Sequence, residues 1–299
     1  MIEAANRGLA TPRALFVGNI TLDNLGTRIR VGGPGFYGGI ALSEYLGVDV
    51  YVLTSVNDCY EPLIKSVLST YGVKILPKKC EDVAVFRIEK GKVVAIESEG
   101  CKLEAYDVFS VIDIVKPDIL FLTPVYSELG IDLAKEVTTK FRGITSIDIQ
   151  GFVRRERELK CVWSDELTEL ITLARVVHGN VKEFCVGENV VDWLHRVSRD
   201  SNAMIIASMD ERGCYLAYRG EVYEIPTLAI NPVDDVGAGD VLTAIASYYL
   251  YQGYSPLEAA CRGVAAAALK VENAYSKWFD RESLDVLSRE LLTMVKKVR

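Results

Sequence analysis

The sequence "INPVDDVGAGDVLTAIASYYL", from Ile230 to Leu250, concentrates more chemistry than any other part of the chain. Two adjacent acids precede Gly-Ala-Gly, a third acid, Asp240, follows it, and an apolar run continues to the end. The apolar run predicts a buried helix, so the glycines lie at its positive N-terminal end. Backbone N–H groups that glycines leave accessible at such an end form a cradle for an anion such as phosphate.

A carboxylate beside this cradle has a chemical use. Asp240 can act as a base that accepts the proton of a hydroxyl attacking phosphorus. The cradle, Gly237 to Gly239, can hold the charge that builds on the transferring group. On spacing alone a purely structural interpretation is equally open, because glycines mark tight turns and Asp stabilises the first turn of a helix.

The bulk composition excludes several classes of protein. The chain has 299 residues, which allows one large α/β domain or two modest ones. Its formal net charge is −7 and no basic block occurs, so neither nucleic acid nor an anionic membrane is expected as a partner. The N-terminus lacks a signal-peptide pattern and the apolar runs are too short to cross a bilayer. We therefore predict a cytoplasmic protein.

The cysteines, histidines and glutamines carry weaker information. Seven cysteines, an odd number without a C-x-x-C pair, predict free and mostly buried thiols in a reducing compartment. Two histidines, His178 and His195, are too few for a histidine-based zinc cluster. The chain has only two glutamines, Gln150 and Gln252, among many charged residues, which indicates a heat-adapted source.

Buried strands alternate with helices along most of the chain, which predicts a doubly wound, mostly parallel α/β sheet in one domain spanning 1–299. Ligands of such sheets bind beyond the carboxyl ends of the strands. The predicted strands are 14–23, 48–56, 73–77, 118–125, 144–152, 175–180 and a three-stranded unit over 203–226. The predicted helices are 38–47, 60–72, 127–141, 164–174, 238–252, 256–272 and 280–299.

One segment breaks this alternation. Residues 83–98 read as two alternating strands about a Lys-Gly turn, with one polar face. Such a hairpin does not belong in a parallel sheet, and the half-exposed strand at 27–33 is a candidate to pair with it. We predict a small β lid over the site, built from about 24–33 and 82–104.

Four ordered motifs resemble one enzyme family. "DDVGAGDVLTA" resembles the D-T-x-G-A-G-D signature of the ribokinase-like (phosphofructokinase B) carbohydrate kinases. "NVKE" matches the family's N-x-x-E motif, and "SMDERG" stands at its T-x-G-x-x-G motif. "VGNITLD" and "RVGGPGFYGGIALSEYLG" stand at its N-terminal substrate motif.

The resemblance covers nearly the whole chain, and it implies both a fold and a reaction. The fold is a three-layer α/β/α sandwich with a β lid, and some members form homodimers through that lid. The reaction transfers the γ-phosphoryl group of ATP, with Mg²⁺, to a hydroxyl of a sugar, polyol or nucleoside.

The resemblance also implies roles for single residues. The general base is Asp240, and the anion hole consists of Gly237, Ala238 and Gly239. The phosphates and Mg²⁺, held largely through water, lie near Asn180 and Glu183; the nucleotide contacts Ser208 and Gly213; the substrate hydroxyls bind Asp23, Gly32 and Gly33. Without the other motifs, the Asn and Glu of N-x-x-E would read as ordinary loop polarity.

The chain departs from the family pattern at three places. Asp235 replaces the usual Thr, which puts activation by a monovalent cation in doubt. Asp210 replaces the first Gly of T-x-G-x-x-G and Ser208 its Thr, which puts the nucleotide contacts in doubt. Phe36 and Tyr37 stand where the family carries Asn, so the specificity of ribokinase or fructokinase is not carried over.

Two runs are similar to the archaeal myo-inositol kinase branch, "GGPGFYGGIALS" and "IDIQGFVRR". By this similarity the polyol contacts Tyr37, Gln150 and Arg154. Each residue also has a purely structural interpretation: core packing for Tyr37, a loop amide for Gln150 and a solvated charge run for Arg154. Two other functions stay open, namely a nucleoside kinase whose Phe36 and Tyr37 stack on a base, and a non-catalytic small-molecule sensor.

Overall fold

The computed structural model describes residues 11–89, 92–155, 160–228, 231–274 and 276–299, with Lys92 and Arg155 described by their backbone alone. The strands are β1 (Arg13–Val17), β2 (Thr21–Asn24), β3 (Ile29–Gly32), β4 (Asp49–Val56), β5 (Lys74–Lys79), β6 (Ala84–Glu89), β7 (Lys92–Glu99), β8 (Ile119–Leu122), β9 (Ile144–Asp148), β10 (Arg154–Arg155), β11 (Lys160–Cys161), β12 (Val176–Asn180), β13 (Met204–Ser208), β14 (Cys214–Tyr218), β15 (Glu221–Ile225) and β16 (Lys296–Lys297). The helices are α1 (Pro34–Leu46), α2 (Glu61–Thr70), α3 (Ala105–Val115), α4 (Ile131–Lys140), α5 (Gln150–Val153), α6 (Asp165–Leu173), α7 (Val190–Arg199), α8 (Ala238–Tyr251), α9 (Pro256–Glu272) and α10 (Arg281–Met294).

The main sheet has ten strands in the order β16-β15-β14-β13-β12-β9-β8-β1-β4-β5. The strands from β13 to β5 pair in parallel, and β14, β15 and β16 extend the sheet with antiparallel pairs. Side chains along β1 alternate between two apolar cores, with Phe16 in one and Leu15 and Val17 in the other. Both faces of the sheet are therefore covered, as the predicted three-layer α/β/α architecture requires.

The lid is a separate sheet of four strands in the order β3-β2-β6-β7. The predicted lid segments occupy this sheet, but the lid begins earlier than expected, at Thr21. The strand β3 pairs with β2, and β2 pairs with β6, so β3 reaches the hairpin only through a strand the sequence analysis did not separate. The chain leaves the main sheet at Asn19, whose N–H donates to Glu128 and whose side chain accepts from Ser55. The Lys90-Gly91 turn of the predicted hairpin lies outside the described residues.

Several predicted elements are shorter than expected. The helix predicted over 280–299 ends at Met294, and the chain then forms the edge strand β16, which pairs with β15. The helix predicted over 127–141 begins only at Ile131, because the Glu128 carboxylate turns back to accept the N–H groups of Val125 and Tyr126. The strand predicted over 144–152 ends at Asp148. The chain then bends into α5, where a side chain at Gly151 would lie 2.3 Å from the carbonyl oxygen of Pro124.

The prediction of free thiols is wrong for four of the cysteines. Cys80 is bonded to Cys101 and Cys161 to Cys185, across Cα–Cα distances of 6.0 and 6.2 Å that suit a disulfide. The pairs are 21 and 24 residues apart, so only the fold brings them together. The free cysteines among the described residues are Cys59, Cys214 and Cys261, the last two buried. The pairing removes the premise from which a reducing compartment was predicted.

Within the described part of the chain, none of the helices has the length and apolar character needed to traverse a lipid bilayer.

Candidate active site

A cleft of about 1200 Å³ opens at the carboxyl ends of the parallel strands, under the lid. The lid contributes apolar side chains from β6 and β7 to its wall: Phe86, Ile88 and Val93. Every site residue predicted from the sequence lines this cleft except Gly32. Gly32 lies directly behind the wall, where a side chain would come within 2.4 Å of Asp23 Oδ2.

The predicted anion cradle is a tight turn at the start of α8. Gly237 is the N-cap and has a φ of 80°, a left-handed conformation that favours glycine. A side chain at this position would lie 2.1 Å from the Tyr37 ring, so Tyr37 packs directly on the turn. The first turn of a helix leaves N–H groups without partners inside the helix, which suits them to phosphate oxygens. The N–H of Ala238 donates to the carbonyl of Asp235 at 3.1 Å and stabilises the turn itself.

Asp240 stands in the first turn of α8 and faces the cleft. Burial, together with the neighbouring Asp148 carboxylate, raises the pKa of Asp240 to about 8. The positive charges of His178 and Lys270 oppose this shift. In its deprotonated form, a carboxylate with this pKa is a stronger base than an ordinary aspartate, but it must lose its own proton before it can accept one from a hydroxyl.

A buried Asp–His pair lies beneath the cradle, and the sequence analysis assigned it no role. His178 Nδ1 lies 2.8 Å from Asp148 Oδ2, and its Nε2 lies 3.3 Å from Ser208 Oγ. Burial is the largest single effect and lowers the pKa of His178, but the hydrogen bond to Asp148 and the charges of the nearby carboxylates together outweigh it, so the net direction is upward. A side chain at Gly239 would lie 2.9 Å from His178 Cε1, so this ring fixes the second glycine of the cradle.

These groups meet because they end neighbouring strands. Asp148 ends β9, Asn180 ends β12 and Ser208 ends β13, and β12 pairs with the other two in parallel. Polar residues at the ends of adjacent parallel strands are the signal by which sequence analysis could have found Asp148 and His178.

The N-x-x-E motif forms a closed turn on the donor side. Glu183 Oε2 accepts the N–H of Asn180 at 2.9 Å, and Glu183 Oε1 lies 3.4 Å from Arg154 Nη2. Burial raises the pKa of Glu183, and the Arg154 charge opposes the shift. Arg154 also donates to the carbonyl of Val125 at 2.9 Å, so it lies in the cleft wall rather than on a solvated face.

Asp210 occupies the glycine position of the T-x-G-x-x-G motif with a φ of 53°. Its backbone thus adopts the left-handed conformation, which accounts for the glycine of the motif at this position. Asp tolerates this conformation better than most other residues do. Its carboxylate accepts from Asn180 Nδ2 at 2.7 Å and from Lys182 Nζ at 2.6 Å. Gly213 has a φ of 96°, and a side chain there would lie 2.1 Å from the carbonyl oxygen of Ile225.

The acceptor side holds buried polar atoms without hydrogen-bond partners. Asp23 Oδ2 and the Tyr37 hydroxyl are both in this state. Burial raises the pKa of Asp23 and also that of Tyr37. Buried polar groups are normally paired, so a missing partner at the edge of a cleft points to a ligand. Gln150 lines the same wall, and its N–H donates to Asp148 Oδ1 at 2.9 Å.

The two aromatic residues of "GFYGG" face different ways. Tyr37 lines the cleft. Phe36 instead packs edge-to-face on Tyr71, with ring centres 6.3 Å apart, and lines a separate apolar groove beside α2. Only Tyr37 is therefore placed to touch an acceptor in the cleft.

Part of the C-terminal half of the sequence matches a known family. Residues 156–277 match the model described as pfkB family carbohydrate kinase. The chain carries a pfkB-family carbohydrate kinase domain. The predicted family and the predicted activity, a phosphotransferase with an alcohol group as acceptor, are confirmed at this level. The sequence has no significant match among curated proteins.

Solved kinases share the fold of this chain. A variant of a pyrophosphate-dependent myo-inositol kinase superposes with a TM-score of 0.76 at 18% identity, over 93% of this chain and 99% of that chain. Ribokinase from Thermotoga maritima gives 0.72 at 19% identity, over 94% and 100%. The tetrameric inhibited form of phosphofructokinase-2 from Escherichia coli gives 0.71 at 14% identity, over 94% and 99%. At these identities the likeness shows the ribokinase-like fold, which confirms the predicted fold class.

Proposed function

We propose that this protein is an ATP- and Mg²⁺-dependent kinase that phosphorylates a hydroxyl of a small polyol, with myo-inositol as the best candidate. The observation that carries the proposal is the position of Asp240, between the glycine cradle and the acceptor wall of one cleft. In the reaction the acceptor oxygen bonds to the γ-phosphorus and the bond to the bridging oxygen of ADP breaks. The hydroxyl proton passes to Asp240, and the cradle holds the charge on the phosphoryl oxygens.

The nature of the donor side supports ATP. Val264, Ala267, Ala268 and Val271 of α9, with Leu228, give the cleft an apolar strip. A nucleoside base buries apolar surface against such a strip, whereas pyrophosphate has no apolar part to bury.

Magnesium fits this donor side as an ion held mainly by phosphates and water. The described residues contain no group of three or more His, Cys, Asp or Glu that could hold a metal alone. Asn180 and Glu183 would orient water molecules around the ion, as Mg²⁺ keeps several of its waters. The ion would neutralise phosphate charge when bound.

Pyrophosphate is the second candidate donor, because the solved kinases with similar folds include pyrophosphate-dependent ones. One of them was solved with a pyrophosphate analogue and myo-inositol. The same neighbours favour a polyhydroxylated acceptor, as do Asp23 Oδ2 and the Tyr37 hydroxyl, which lack hydrogen-bond partners although Asp23 Oδ2 forms an ion pair with Arg30 at 3.8 Å. A nucleoside acceptor is less well supported, since Phe36 is not available for stacking on a base.

We also propose that the lid pairs two copies of the chain. Ile29 of β3 is 54% exposed and Val94 of β7 is 40% exposed, so the lid carries apolar surface on its outside. Light scattering after gel filtration would test this, and a monomer at micromolar concentration would contradict it.

The function is tested by offering the purified protein ATP or pyrophosphate, with Mg²⁺, and a panel of inositols, pentoses, hexoses and nucleosides at elevated temperature. The phosphorylated product is identified by mass spectrometry, so that hydrolysis of the donor is not mistaken for transfer. Asp240→Asn serves as the inactive control, and Asp132→Asn on the exposed surface of α4 is its matched control.

Turnover of myo-inositol with ATP supports the proposal. Turnover with pyrophosphate alone corrects the donor, and turnover of a nucleoside alone corrects the acceptor. Binding of ATP without turnover of any acceptor would instead support a sensor protein.

A further inference from the structure

Lys270 is a buried cation that the proposed reaction does not use. It lies in the last turn of α9 and is only 1% exposed. Its Nζ donates to the carbonyl oxygen of Asp234 at 2.9 Å and to that of Val236. A buried ammonium group is destabilising unless its protons find acceptors, and these two carbonyls supply them.

Both carbonyls belong to the loop that leads into the cradle. Val236 directly precedes Gly237, the residue whose left-handed conformation starts the turn. The ammonium group lies 5.2 Å from the centre of the Tyr37 ring, and the same ring packs on Gly237. Lys270 and Tyr37 therefore hold the loop and the turn from two directions.

Two carbonyl dipoles directed at one point repel each other unless a cation lies between them. We propose that Lys270 is a positioning residue whose ammonium group acts as a built-in monovalent cation, holding Asp234 and Val236 so that the cradle keeps its shape for the donor phosphate. This inference rests on the proposed function, because it takes the cradle to be the phosphate site.

The charges around Lys270 come from three parts of the fold. Asp234 and Asp235 of the cradle loop and Asp240 of α8 favour the ammonium form, whereas Arg30 of the lid opposes it. Burial is the largest effect, and it lowers the pKa of Lys270 to about 8. In return, the charge of Lys270 lowers the pKa of Asp240. A neutral residue at 270 should therefore raise the pKa of Asp240 further.

The test compares Lys270→Met with Lys65→Met, a matched control on the exposed face of α2. Initial rates are measured in choline chloride and then with potassium or ammonium chloride added. For K270M we expect kcat to fall by about 10- to 100-fold, the loss typical of a misplaced catalytic group, with the KM of the acceptor little changed. The acid limb of its kcat/KM profile moves to higher pH, and potassium or ammonium restores part of kcat. The wild-type protein and K65M respond to neither salt.

A second variant and a second measurement keep the test independent of activity. Lys270→Gln retains a neutral hydrogen-bond donor for the two carbonyls, so it should fold more readily than Lys270→Met. The thermal midpoints of both variants should rise specifically with potassium or ammonium, while that of the wild type does not. The thermal midpoints test the role of Lys270 even if the wild type phosphorylates no acceptor. That result would count against the proposed function alone.

Three results would overturn the inference. One is a K270M protein with wild-type kcat and pH profile. Another is a loss of activity that no cation restores and that leaves the acid limb unmoved, which marks a merely structural lysine. The third is failure of both variants to fold even in potassium or ammonium buffer.

Discussion

The donor wall of the cleft (Asn180, Lys182, Glu183 and Asp210) and its acceptor wall (Asp23, Tyr37 and Gln150) differ in how their polar groups are paired. On the donor wall the charges are paired with one another, as in the contacts of Asp210 with Asn180 and Lys182. On the acceptor wall Asp23 Oδ2 and the Tyr37 hydroxyl are buried without hydrogen-bond partners. A wall that meets the same phosphates in every cycle can be fixed in advance, whereas a wall that selects an acceptor must keep atoms free for it. Specificity should therefore reside on the acceptor wall.

The largest effect is expected where the two walls meet. Asp240→Asn removes the proton acceptor but keeps the shape, so kcat should fall by about 10²- to 10⁴-fold. Binding of the donor, measured by calorimetry, should stay within a few fold of wild type because neither wall is altered. Near-normal turnover in this variant would remove Asp240 from the reaction.

Breaking the donor wall is expected to have the next largest effect. Gly237→Ala places a side chain against the Tyr37 ring in a left-handed conformation that only glycine adopts easily. The turn must shift, and kcat should fall by about 100-fold, since small misplacements near the reacting groups have effects of that size. Gly253→Ala is a fitting control, because Gly253 also has a positive φ, of 89°, but nothing lies within 4 Å of an added side chain. Equal losses in both variants would show that backbone strain, and not the cradle, is responsible.

Breaking the acceptor wall should change selectivity more than rate. Tyr37→Phe removes a buried hydroxyl that has no partner in the protein. The KM of the acceptor should rise about tenfold, the loss expected for one hydrogen bond, while the KM of the donor stays constant. The thermal midpoint should not fall, because the unpaired hydroxyl does not stabilise the free protein. A rise in the KM of the donor instead would mean that Tyr37 serves only the cradle.

The pH profile gives the smallest but sharpest test. The pKa of Asp240 is raised to about 8, so kcat/KM should increase as pH rises toward that value and the carboxyl loses its proton. Above it the wild-type profile should fall as Lys270 deprotonates, and K270M should lack this alkaline limb. For stability the sign is opposite: protonated Asp240 favours the folded state, and this contribution is lost as pH rises from 3.8 through about 8. If kcat/KM does not change between pH 6 and pH 8, the assignment of Asp240 as the base is contradicted. Over this range the proton concentration changes by about two decades, which is enough to reveal the titration of the group.

The donor wall was predictable from sequence because its parts are local. The glycines, the acid and the apolar helix lie within one run, and the structure places α8 at Ala238–Tyr251 against a predicted 238–252. The N-x-x-E turn is equally local, closed by the bond from the Asn180 N–H to Glu183. The roles of these residues remain predictions.

The missed features depend on partners far along the chain. Asp148 and His178 are 30 residues apart and meet only because β9 and β12 are neighbours. Lys270 follows the short run "GVAAAAL", and no local pattern indicates that it binds carbonyls at Asp234 and Val236.

Two of the longer helices were also missed, for different reasons. The helix α3, "AYDVFSVIDIV", is rich in β-branched and aromatic residues, which favour strands; a capping box between Glu104 and Asp107 starts it nonetheless. The helix α7 starts at the N-cap Asn189 and is amphipathic. Both features can be read from the sequence between the N-x-x-E and T-x-G-x-x-G motifs. The strand propensity of its residues hides α3, whereas α7 could have been predicted from sequence.

The bond between Cys80 and Cys101 has a consequence for the covalent topology of the lid. Cys80 lies four residues before the lid hairpin begins at Ala84, and Cys101 lies two residues after it ends at Glu99. The hairpin is thus part of a closed ring. A protease that cuts the chain once inside this ring releases nothing, because the two fragments stay joined through sulfur. A single cut in the β6–β7 hairpin would therefore be invisible on a denaturing gel until a reductant opens the ring.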